Sequence, residues 1–435
     1  MTKLGGTGVL LLVLICSSQG LNLTRDFDVD ESDAKRLVPE LIQHHGYPVQ
    51  VHHVATEDGY VLEMHRIPGE PGSPVVFLMH GLLCSSADWV IIGPKHGLAY
   101  LLAQKGFDVW LGNARGNRYS RRHKTLTPNM FAFWQFSWHE IGYYDLPAMI
   151  DYVLDLTGQG KLQYVGHSQG TTSFFVMTST RPEYNEKIHL MQALAPVAFT
   201  SHMRSPLLRV LSVFQETLTI LFETFGIDEF KPNNSILHDI ARLFCSGSVT
   251  SNLCLNVLFQ LAGADPDQVE LQIIPLLVGH TPAGASTKQI VHYAQGVRTA
   301  QFRRYDFGKI KNTFIYGRPE PPEYNLTEIR TPVVFHYGLN DYLADPEDVL
   351  QLGRALPNLI EHRQVQHNTF NHLDFLFAKD VRELLYGYKS LTAMISNMFS
   401  SFNYTQKKSI VKLLNPWFKR TTGDHIFESN MFCCL

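Results

Sequence analysis

The chain has 435 residues, of which 45% are hydrophobic and 11% aromatic, which is enough for a large buried core and for one domain carrying a substantial insertion. Its 37 lysines and arginines nearly balance 40 aspartates and glutamates, so the net charge is −3. A near-neutral chain without a basic helix or stripe argues against nucleic acid as a partner. The 20 histidines would add positive charge in an acidic compartment, although ordinary surface histidines explain them equally well.

Residues 1–20 have the features of a secretory signal. Lys3 supplies a basic start, Val9–Ile15 an apolar centre and Ser17–Gly20 a small-residue exit. The apolar run is too short to span a bilayer, and the next most apolar stretch, near Leu207–Phe222, is interrupted by polar residues. The sequence therefore predicts an exported protein without a transmembrane segment, either secreted or lysosomal.

Export makes disulfides possible, and five cysteines remain after the signal. Cys245 and Cys254 are close enough to close a small loop, and we predict that they are bridged. Cys84 lies among apolar residues and is predicted to be a buried free thiol. Four Asn-x-Ser/Thr acceptors fit a glycoprotein: Asn22, Asn233, Asn325 and Asn403.

Helices and strands are predicted to alternate up to about residue 199. An amphipathic helix is predicted over Ser32–His44, followed by a hairpin of Val51–Thr56 and Tyr60–Ile67. Continuous apolar runs indicate buried strands. The predicted strands are Val75–Met79, Phe107–Leu111, Leu162–His167 and Met191–Phe199, with a helix near Asp145–Leu156 before the third of them.

The alternation stops between about Thr200 and Tyr324, in a segment rich in leucine and phenylalanine. A loop of this length without structure is improbable, so we predict a helical cap or lid, residues 200–324, inserted into a core of residues 21–199 and 325–399. Strands resume at Thr331–Tyr337 and Glu361–Val365. Residues 400–435 form a tail of unclear structure.

The five residues Gly166-His167-Ser168-Gln169-Gly170 join a predicted strand to a predicted helix, which is the pattern of a nucleophile elbow. Ser168 must occupy a strained turn, and side chains two positions either side would collide there. The N–H of Gln169, near a helix N-terminus, would face a developing oxyanion. The pattern also occurs by chance, but the flanking strand and helix favour a catalytic role.

Two further loops follow predicted strands. His80-Gly81-Leu82-Leu83 comes directly after Val75–Met79. In folds that carry a nucleophile elbow, the loop after this strand supplies a second donor to the oxyanion. We assign that donor to the N–H of Leu82, because Gly81 lets the backbone approach the substrate; an ordinary turn is the alternative. Arg115, in the loop after Phe107–Leu111, either touches the substrate or, more commonly, braces neighbouring loops.

A serine nucleophile needs a base and a carboxylate that orients the base. Asp341, Asp345 and Asp348 follow the strand that ends at Tyr337. The last two belong to a helix start with Pro346 at its first position, and this structural role accounts for them. Asp341, just past the strand end, is therefore the predicted acid.

Three histidines are candidates for the base. His362 lies within the last predicted strand and His367 lies too near its end, so we choose His372 in the loop beyond. The order Ser168, Asp341, His372 is that of α/β-hydrolases.

Several of these motifs together resemble the acid lipase family, which includes gastric lipase, lysosomal acid lipase and secreted insect lipases. The resemblance runs from about Asp30 to Met394. It rests on Gly166–Thr172, His80–Leu83, Asn113–Gly116, Leu343–Pro346 and Asn371–Phe375. The sequence departs from the family at Cys84, where a small apolar residue is usual, and in the longer tail.

The resemblance implies an α/β-hydrolase core with a mostly parallel central sheet and an inserted helical cap. It implies a serine lipase that cleaves carboxylic esters of neutral lipids at a lipid–water interface, with no metal or cofactor. A steryl-ester or small-ester esterase of the same fold is the alternative, and a non-catalytic binding protein is a third.

Apolar residues between Leu207 and Phe225 recur at spacings of three and four, so helices there would present a broad apolar face. Such a face could simply pack on the core. Because a lipid ester must enter a dry site, we predict instead a lid over a large apolar pocket above Ser168.

Overall fold

A computed structural model describes residues 30–214, 217, 227–230 and 251–387. In it the chain is built around one central sheet. Its strands are β1 Gln50–Ala55, β2 Tyr60–Ile67, β3 Val75–Met79, β4 Asp108–Leu111, β5 Arg122–His123, β6 Leu162–His167, β7 Ile188–Leu194, β10 Val333–Tyr337 and β11 Leu359–Gln364. They lie side by side in the order β1-β2-β4-β3-β6-β7-β10-β11, with β5 paired to β2. A separate ribbon pairs β8 Glu229–Phe230 with β9 Ala285–Ser286.

The six neighbouring strands β4, β3, β6, β7, β10 and β11 are all parallel, while β2 is antiparallel to β1, β4 and β5. The predicted α/β class with a mostly parallel central sheet is confirmed. All five residues of Val75–Met79 and all six of Leu162–His167 are buried, as expected when helices cover both faces of a sheet. Because these strands are parallel, their carboxyl ends meet along one edge of the sheet, where the candidate site lies.

The described helices connect the strands and cover the sheet. They are α1 Val38–His44, α2 Leu98–Gln104, α3 Trp138–Glu140, α4 Leu146–Thr157, α5 Gln169–Thr180, α6 Pro206–Val213, α7 Ser251–Ala262, α8 Ile274–His280, α9 Thr287–Thr299, α10 Lys309–Tyr316, α11 Pro346–Ala355 and α12 Asp374–Phe377. A π-helical turn, Ile141–Asp145, joins α3 to α4.

Two predicted elements differ from the structure. The predicted helix Ser32–His44 is divided into a 3₁₀ turn, Glu31–Ala34, and α1, because Pro39 fits only the first turn of a helix and Leu37 is extended before it. The predicted strand Met191–Phe199 is wrong in its position: β7 ends at Leu194, since Ala195 turns into the left-handed region with φ 49°.

Helices α6 to α10 lie between β7 and β10 in the chain, where the helical insertion was predicted. Helix α6 packs against α7 and α9 and leaves Val210, Val213 and Phe214 exposed. Most of the predicted lid beyond α6 lies outside the described residues, and the apolar pocket that it is predicted to cover above Ser168 stays a prediction. Within the described part of the chain, no helix is long and apolar enough to cross a membrane.

Several other predictions also fall outside the described residues. They are the signal of residues 1–20, the Cys245–Cys254 bridge, the acceptors Asn22, Asn233 and Asn403, and the tail of residues 400–435.

Candidate active site

Ser168 occupies the sharp turn between β6 and α5. Its backbone has φ 52° and ψ −119°, a conformation that costs free energy in any residue with a side chain and that marks functional sites. The turn is held at both ends, because the Ser168 N–H donates to the Leu194 carbonyl at 3.0 Å while the Ser168 carbonyl accepts from the Thr171 N–H at 2.8 Å. The side chain is half-buried.

The two glycines of the motif are required by space rather than by flexibility. A Cβ at Gly170 would lie 2.2 Å from the Met79 carbonyl oxygen, and a Cβ at Gly166 would lie 2.8 Å from the carbonyl carbon of Gly170. A side chain at position 170 would therefore collide with the end of β3, and one at position 166 would collide within the elbow itself, so both positions need glycine, as the sequence predicts.

Asp341 and His372 come from loops after β10 and β11 and form a buried pair. The imidazole Nδ1 of His372 lies 2.8 Å from Oδ2 and 3.0 Å from Oδ1 of Asp341. The N–H groups of Leu343 and Ala344 also donate to Oδ1, each at 2.8 Å. Because Nδ1 faces the carboxylate, Nε2 is the nitrogen left for a serine hydroxyl.

The rejected acids have other partners. The Asp345 side chain accepts from the Glu347 N–H as the N-cap of α11 and pairs with the Arg204 Nε at 2.7 Å. Asp348 accepts from Ser201 Oγ and from the backbone of His202. Asp345 therefore has the N-cap role that the sequence assigned to it, while Asp348 binds the segment that precedes α6.

The rejected histidines have other partners. His362 is inside β11, where its ring stacks on Tyr337. The Nε2 of His367 lies 2.7 Å from Oδ2 of Asp265. His367 thus has its own carboxylate partner in the insertion.

The loop His80–Leu83 passes directly beside Ser168. A Cβ at Gly81 would lie only 3.2 Å from the Ser168 Cβ and 3.7 Å from Ser168 Oγ. A side chain at position 81 would therefore crowd Ser168. On the other side, the Gln169 N–H is the first of α5 and has no acceptor within the helix.

His80 orients the peptide unit that carries the Leu82 N–H. Its Nε2 accepts from the Ala114 N–H at 3.1 Å and from Asn117 Nδ2 at 3.2 Å, so the proton resides on Nδ1, which donates to the Gly81 carbonyl at 2.8 Å. That carbonyl and the Leu82 N–H belong to one planar peptide. Burial lowers the pKa of His80 to about 4, which keeps the imidazole in this neutral form in mild acid.

His167, next to Ser168, binds the backbone of His372. Its Nε2 donates to the His372 carbonyl at 3.0 Å, and the two imidazole rings are 4.9 Å apart. Burial lowers the pKa of His167 well below its ordinary value. Neither His80 nor His167 was assigned these roles from the sequence, because both depend on contacts between loops that are distant in the chain.

The end of α7 binds both the loop that carries Asp341 and the loop that carries His372. The Ala262 carbonyl accepts from the N–H groups of both His372 and Tyr342, at 3.3 and 3.2 Å. The next residue, Gly263, has φ 108°, and a Cβ there would lie 2.0 Å from the Asn340 carbonyl oxygen. The inserted segment is therefore in direct contact with the residue that precedes Asp341.

Arg115 braces loops, as in the second of its two predicted roles. It is buried, its Nε lies 2.7 Å from Oδ1 of Asp145, and its Nη1 and Nη2 bind both oxygens of Asp58. Burial raises the pKa of Asp145 to about 6. Burial alone would also raise the pKa of Asp58, but its hydrogen bonds with Arg115 hold it below the ordinary value.

Cys84 follows the candidate oxyanion loop and is a free thiol. It is partly exposed rather than buried, because the loop turns through Leu83 with φ 63° and leaves the next residue near the surface. Asp88, one helical turn further on, is buried, and this burial raises the pKa of its carboxyl to about 7.

Comparisons with known proteins identify the family of the chain. A family model described as a partial α/β-hydrolase lipase region matches residues 38–93, and one described as the α/β-hydrolase fold matches residues 74–225. Lipase 1 of Drosophila melanogaster is 45% identical over 360 residues, which are 82% of this chain and 79% of that protein. Lipase 3 of the same species is 43% identical over 354 residues, 80% of this chain and 90% of that protein.

Human gastric triacylglycerol lipase is 40% identical over 367 residues, which are 82% of this chain and 90% of that protein. The predicted resemblance and the predicted fold are thereby confirmed. The chain belongs to the lipase family of the α/β-hydrolase fold.

Proposed function

We propose that this protein is a serine lipase that hydrolyses carboxylic esters of neutral lipids, of the triacylglycerol type, through Ser168, His372 and Asp341. The observation that carries the proposal is the buried Asp341–His372 pair, at 2.8 Å, on the same sheet edge as the strained Ser168 elbow. The names of the relatives, above all the gastric triacylglycerol lipase, support the class of ester.

The reaction begins when Ser168 Oγ attacks the ester carbonyl and His372 Nε2 accepts the hydroxyl proton. Asp341 stabilises the resulting imidazolium, whose Nδ1–H already faces the carboxylate. His372 then gives the proton to the leaving alcohol, and an acyl-enzyme forms. Water, activated by the same imidazole, hydrolyses the acyl-enzyme and releases the fatty acid.

The N–H groups of Leu82 and Gln169 stabilise the oxyanion of each tetrahedral intermediate. Removing one such donor in a studied protease lowers kcat by about 10²- to 10³-fold, so the orientation of the Leu82 peptide matters. His80 is a positioning residue in this scheme, because it binds the carbonyl end of the same peptide.

Turnover on emulsified and dissolved esters tests the proposal. The rate on a short-chain ester should rise sharply once its concentration exceeds the solubility limit, because an apolar lid must open at an interface. The Ser168→Ala variant should lose several orders of magnitude on both forms. A rate that does not rise above the solubility limit would favour the esterase alternative. A Ser168→Ala variant that keeps a tenth of the activity would refute Ser168 as the nucleophile.

The lid has its own comparison. Charges introduced at Leu221 and Phe222 should reduce emulsion activity more than activity on a dissolved ester. Equal losses on the two substrates would argue against residues 200–324 as a lid and for their role as packing alone.

We also propose secretion or lysosomal delivery, with glycosylation and one disulfide. Asn325 is exposed at the start of a 3₁₀ turn, which leaves it accessible to a glycan. Peptide mapping without reduction decides the Cys245–Cys254 bridge: a linked peptide supports it, and two free thiols in the secreted protein reject it.

A further inference from the structure

Helix α10 presents apolar side chains to solvent instead of to the core. Ile310 is 79% exposed, Phe314 is 85% exposed and Ile315 is 47% exposed. Ile310 and Phe314 are four residues apart and therefore share one face of the helix. Among the eight residues of α10, only Asn312 is buried. Large apolar side chains grouped in this way on a surface mark a site of interaction.

Hydrogen bonds of other residues hold α10 in place. Asn312 Nδ2 donates to Asp306 Oδ1 and to the Pro319 carbonyl, both at 2.8 Å. Tyr316 donates from its hydroxyl to the Tyr305 carbonyl at 2.9 Å. Ile310 and Phe314 therefore contribute little to the packing of α10, and a role in the fold does not explain why they are apolar.

The charge around the apolar face is positive. Lys309, Lys311 and Arg318 are all exposed, and the sequence has no acidic residue between Asp306 and Glu320. Apolar side chains flanked by lysines suit a lipid surface that carries negative charge, because the apolar groups enter the acyl boundary while the ammonium groups attract anionic headgroups.

The position of α10 relates this surface to the catalytic elbow. Lys288 Nζ lies 4.5 Å from the ring centre of Phe307, two residues before α10. The neighbouring Gln289 accepts from Gln169 Nε2 at 2.7 Å, beside Ser168. Helix α9 thus contacts the segment before α10 through Lys288 and the residue after Ser168 through Gln289.

We propose that α10 is an anchor that binds the protein to an anionic lipid–water interface through Ile310 and Phe314, with Lys309 and Lys311 contacting the charged headgroups. The choice of a lipid partner rests on the proposed function. A surface that collects fatty-acid carboxylates as hydrolysis proceeds has the required charge. The anchor is distinct from the predicted lid at Leu207–Phe225.

Vesicle binding by the full-length Ser168→Ala variant tests the anchor without hydrolysis. Binding to vesicles of phosphatidylcholine with phosphatidylglycerol should exceed binding to phosphatidylcholine alone. Adding Phe314→Glu should lower binding to the mixed vesicles on the order of tenfold. Adding Thr313→Glu, a control that puts the same charge on an already polar and exposed position of α10, should lower binding far less.

Charge is tested separately with Lys309→Gln and Lys311→Gln. Each should reduce binding to the mixed vesicles about fivefold and leave binding to phosphatidylcholine alone unchanged. Equal binding by Phe314→Glu and its Thr313→Glu control would overturn the anchor. A dimer that becomes monomeric only in Phe314→Glu would also overturn it, by showing that the face binds a second copy of the chain.

A soluble-ester assay separates this inference from the proposed function. In the active enzyme, Phe314→Glu should keep the full rate on a dissolved ester and lose activity on a mixed emulsion. Loss of both rates in a folded variant would contradict an anchor that acts only at the interface. Absence of ester hydrolysis in the unmodified enzyme would refute the proposed function, while the vesicle result would still stand or fall independently.

Discussion

At the scale of single residues, the partners of each carboxylate distinguish the proposed catalytic acid from its neighbours. Asp341 accepts from two backbone N–H groups and faces Nδ1 of His372, so its position and its partner are both fixed. Asp345 is four residues away, yet it caps a helix. Residue type alone would not separate the two; position relative to the strand end does.

The two aspartates should therefore respond differently to the same substitution. Asp341→Asn should reduce kcat on the order of 10⁴-fold, as in the best-studied triad, because the amide cannot orient the imidazole. Asp345→Asn should keep most of the activity, since asparagine is also a good N-cap. Steady-state kinetics on a dissolved ester measures both, and the reverse pattern would move the acid to Asp345.

Asp88 is a buried carboxyl whose ionisation opposes folding. Burial raises its pKa to about 7, so between pH 3.8 and 7 the folded chain binds more protons than the unfolded chain and loses stability as pH rises. Asp88→Asn removes this dependence and should stabilise the protein at pH 8 by as much as roughly 4 kcal/mol.

At pH 4 the same substitution should have little effect, because pH 4 lies at the lower end of the interval between the unfolded pKa of 3.8 and the folded pKa of about 7, where little stability has yet been lost. Chemical unfolding of the two proteins at pH 4 and pH 8 measures the difference. A variant that is destabilised equally at both pH values would show that the native carboxyl is not held neutral by burial.

At the scale of elements, the catalytic loops depend on the insertion that packs on them. The end of α7 accepts hydrogen bonds from both the acid loop and the base loop through Ala262. Further along, Gln268 Nε2 donates to Asp380 Oδ2, and Thr369 Oγ1 donates to Asp265. The segment from Ala262 to Gln268 therefore supports the loops that carry Asp341 and His372.

A methyl group at Gly263 should disturb this support. Gly263→Ala places a Cβ 2.0 Å from the Asn340 carbonyl oxygen, and the displacement of Asp341 should lower kcat on the order of 10²-fold. Gly158→Ala is the matched control, because Gly158 also has positive φ but its Cβ would meet nothing within 4 Å.

The control should cost about 1 kcal/mol of stability from backbone strain alone and leave kcat unchanged. Rates on a dissolved ester, measured well below both melting temperatures, separate the two effects. Equal kcat for Gly263→Ala and Gly158→Ala would show that contact with Asn340 does not position the acid.

At the scale of the whole molecule, the parallel sheet explains why so much of the site could be predicted. Ser168, Asp341 and His372 each follow the carboxyl end of a strand, and strand ends are recognisable from short apolar runs followed by polar loops. Parallel strands bring those ends to one edge. The order of the chain then suffices to place three distant residues near one another.

Other features could not be predicted because they arise from contacts between distant segments. Gly263 meets Asn340 across 77 positions of the chain, and no local pattern encodes that approach. The same applies to the hydrogen bond of His167 with the His372 carbonyl. The end of β7 is predicted too late because apolar residues continue past Leu194. Residues that are buried outside the sheet are apolar for the same reason as residues inside it, so the pattern does not mark where the strand ends.

Labelling with a fluorophosphonate tests the central claim most directly. Such a probe reacts only with a serine whose hydroxyl is activated by a base. Intact-mass and peptide analysis should find one adduct, on the peptide that contains Ser168, and none in Ser168→Ala or after denaturation. An enzyme that hydrolyses esters but carries no adduct at Ser168, or carries it on another serine, would contradict the account.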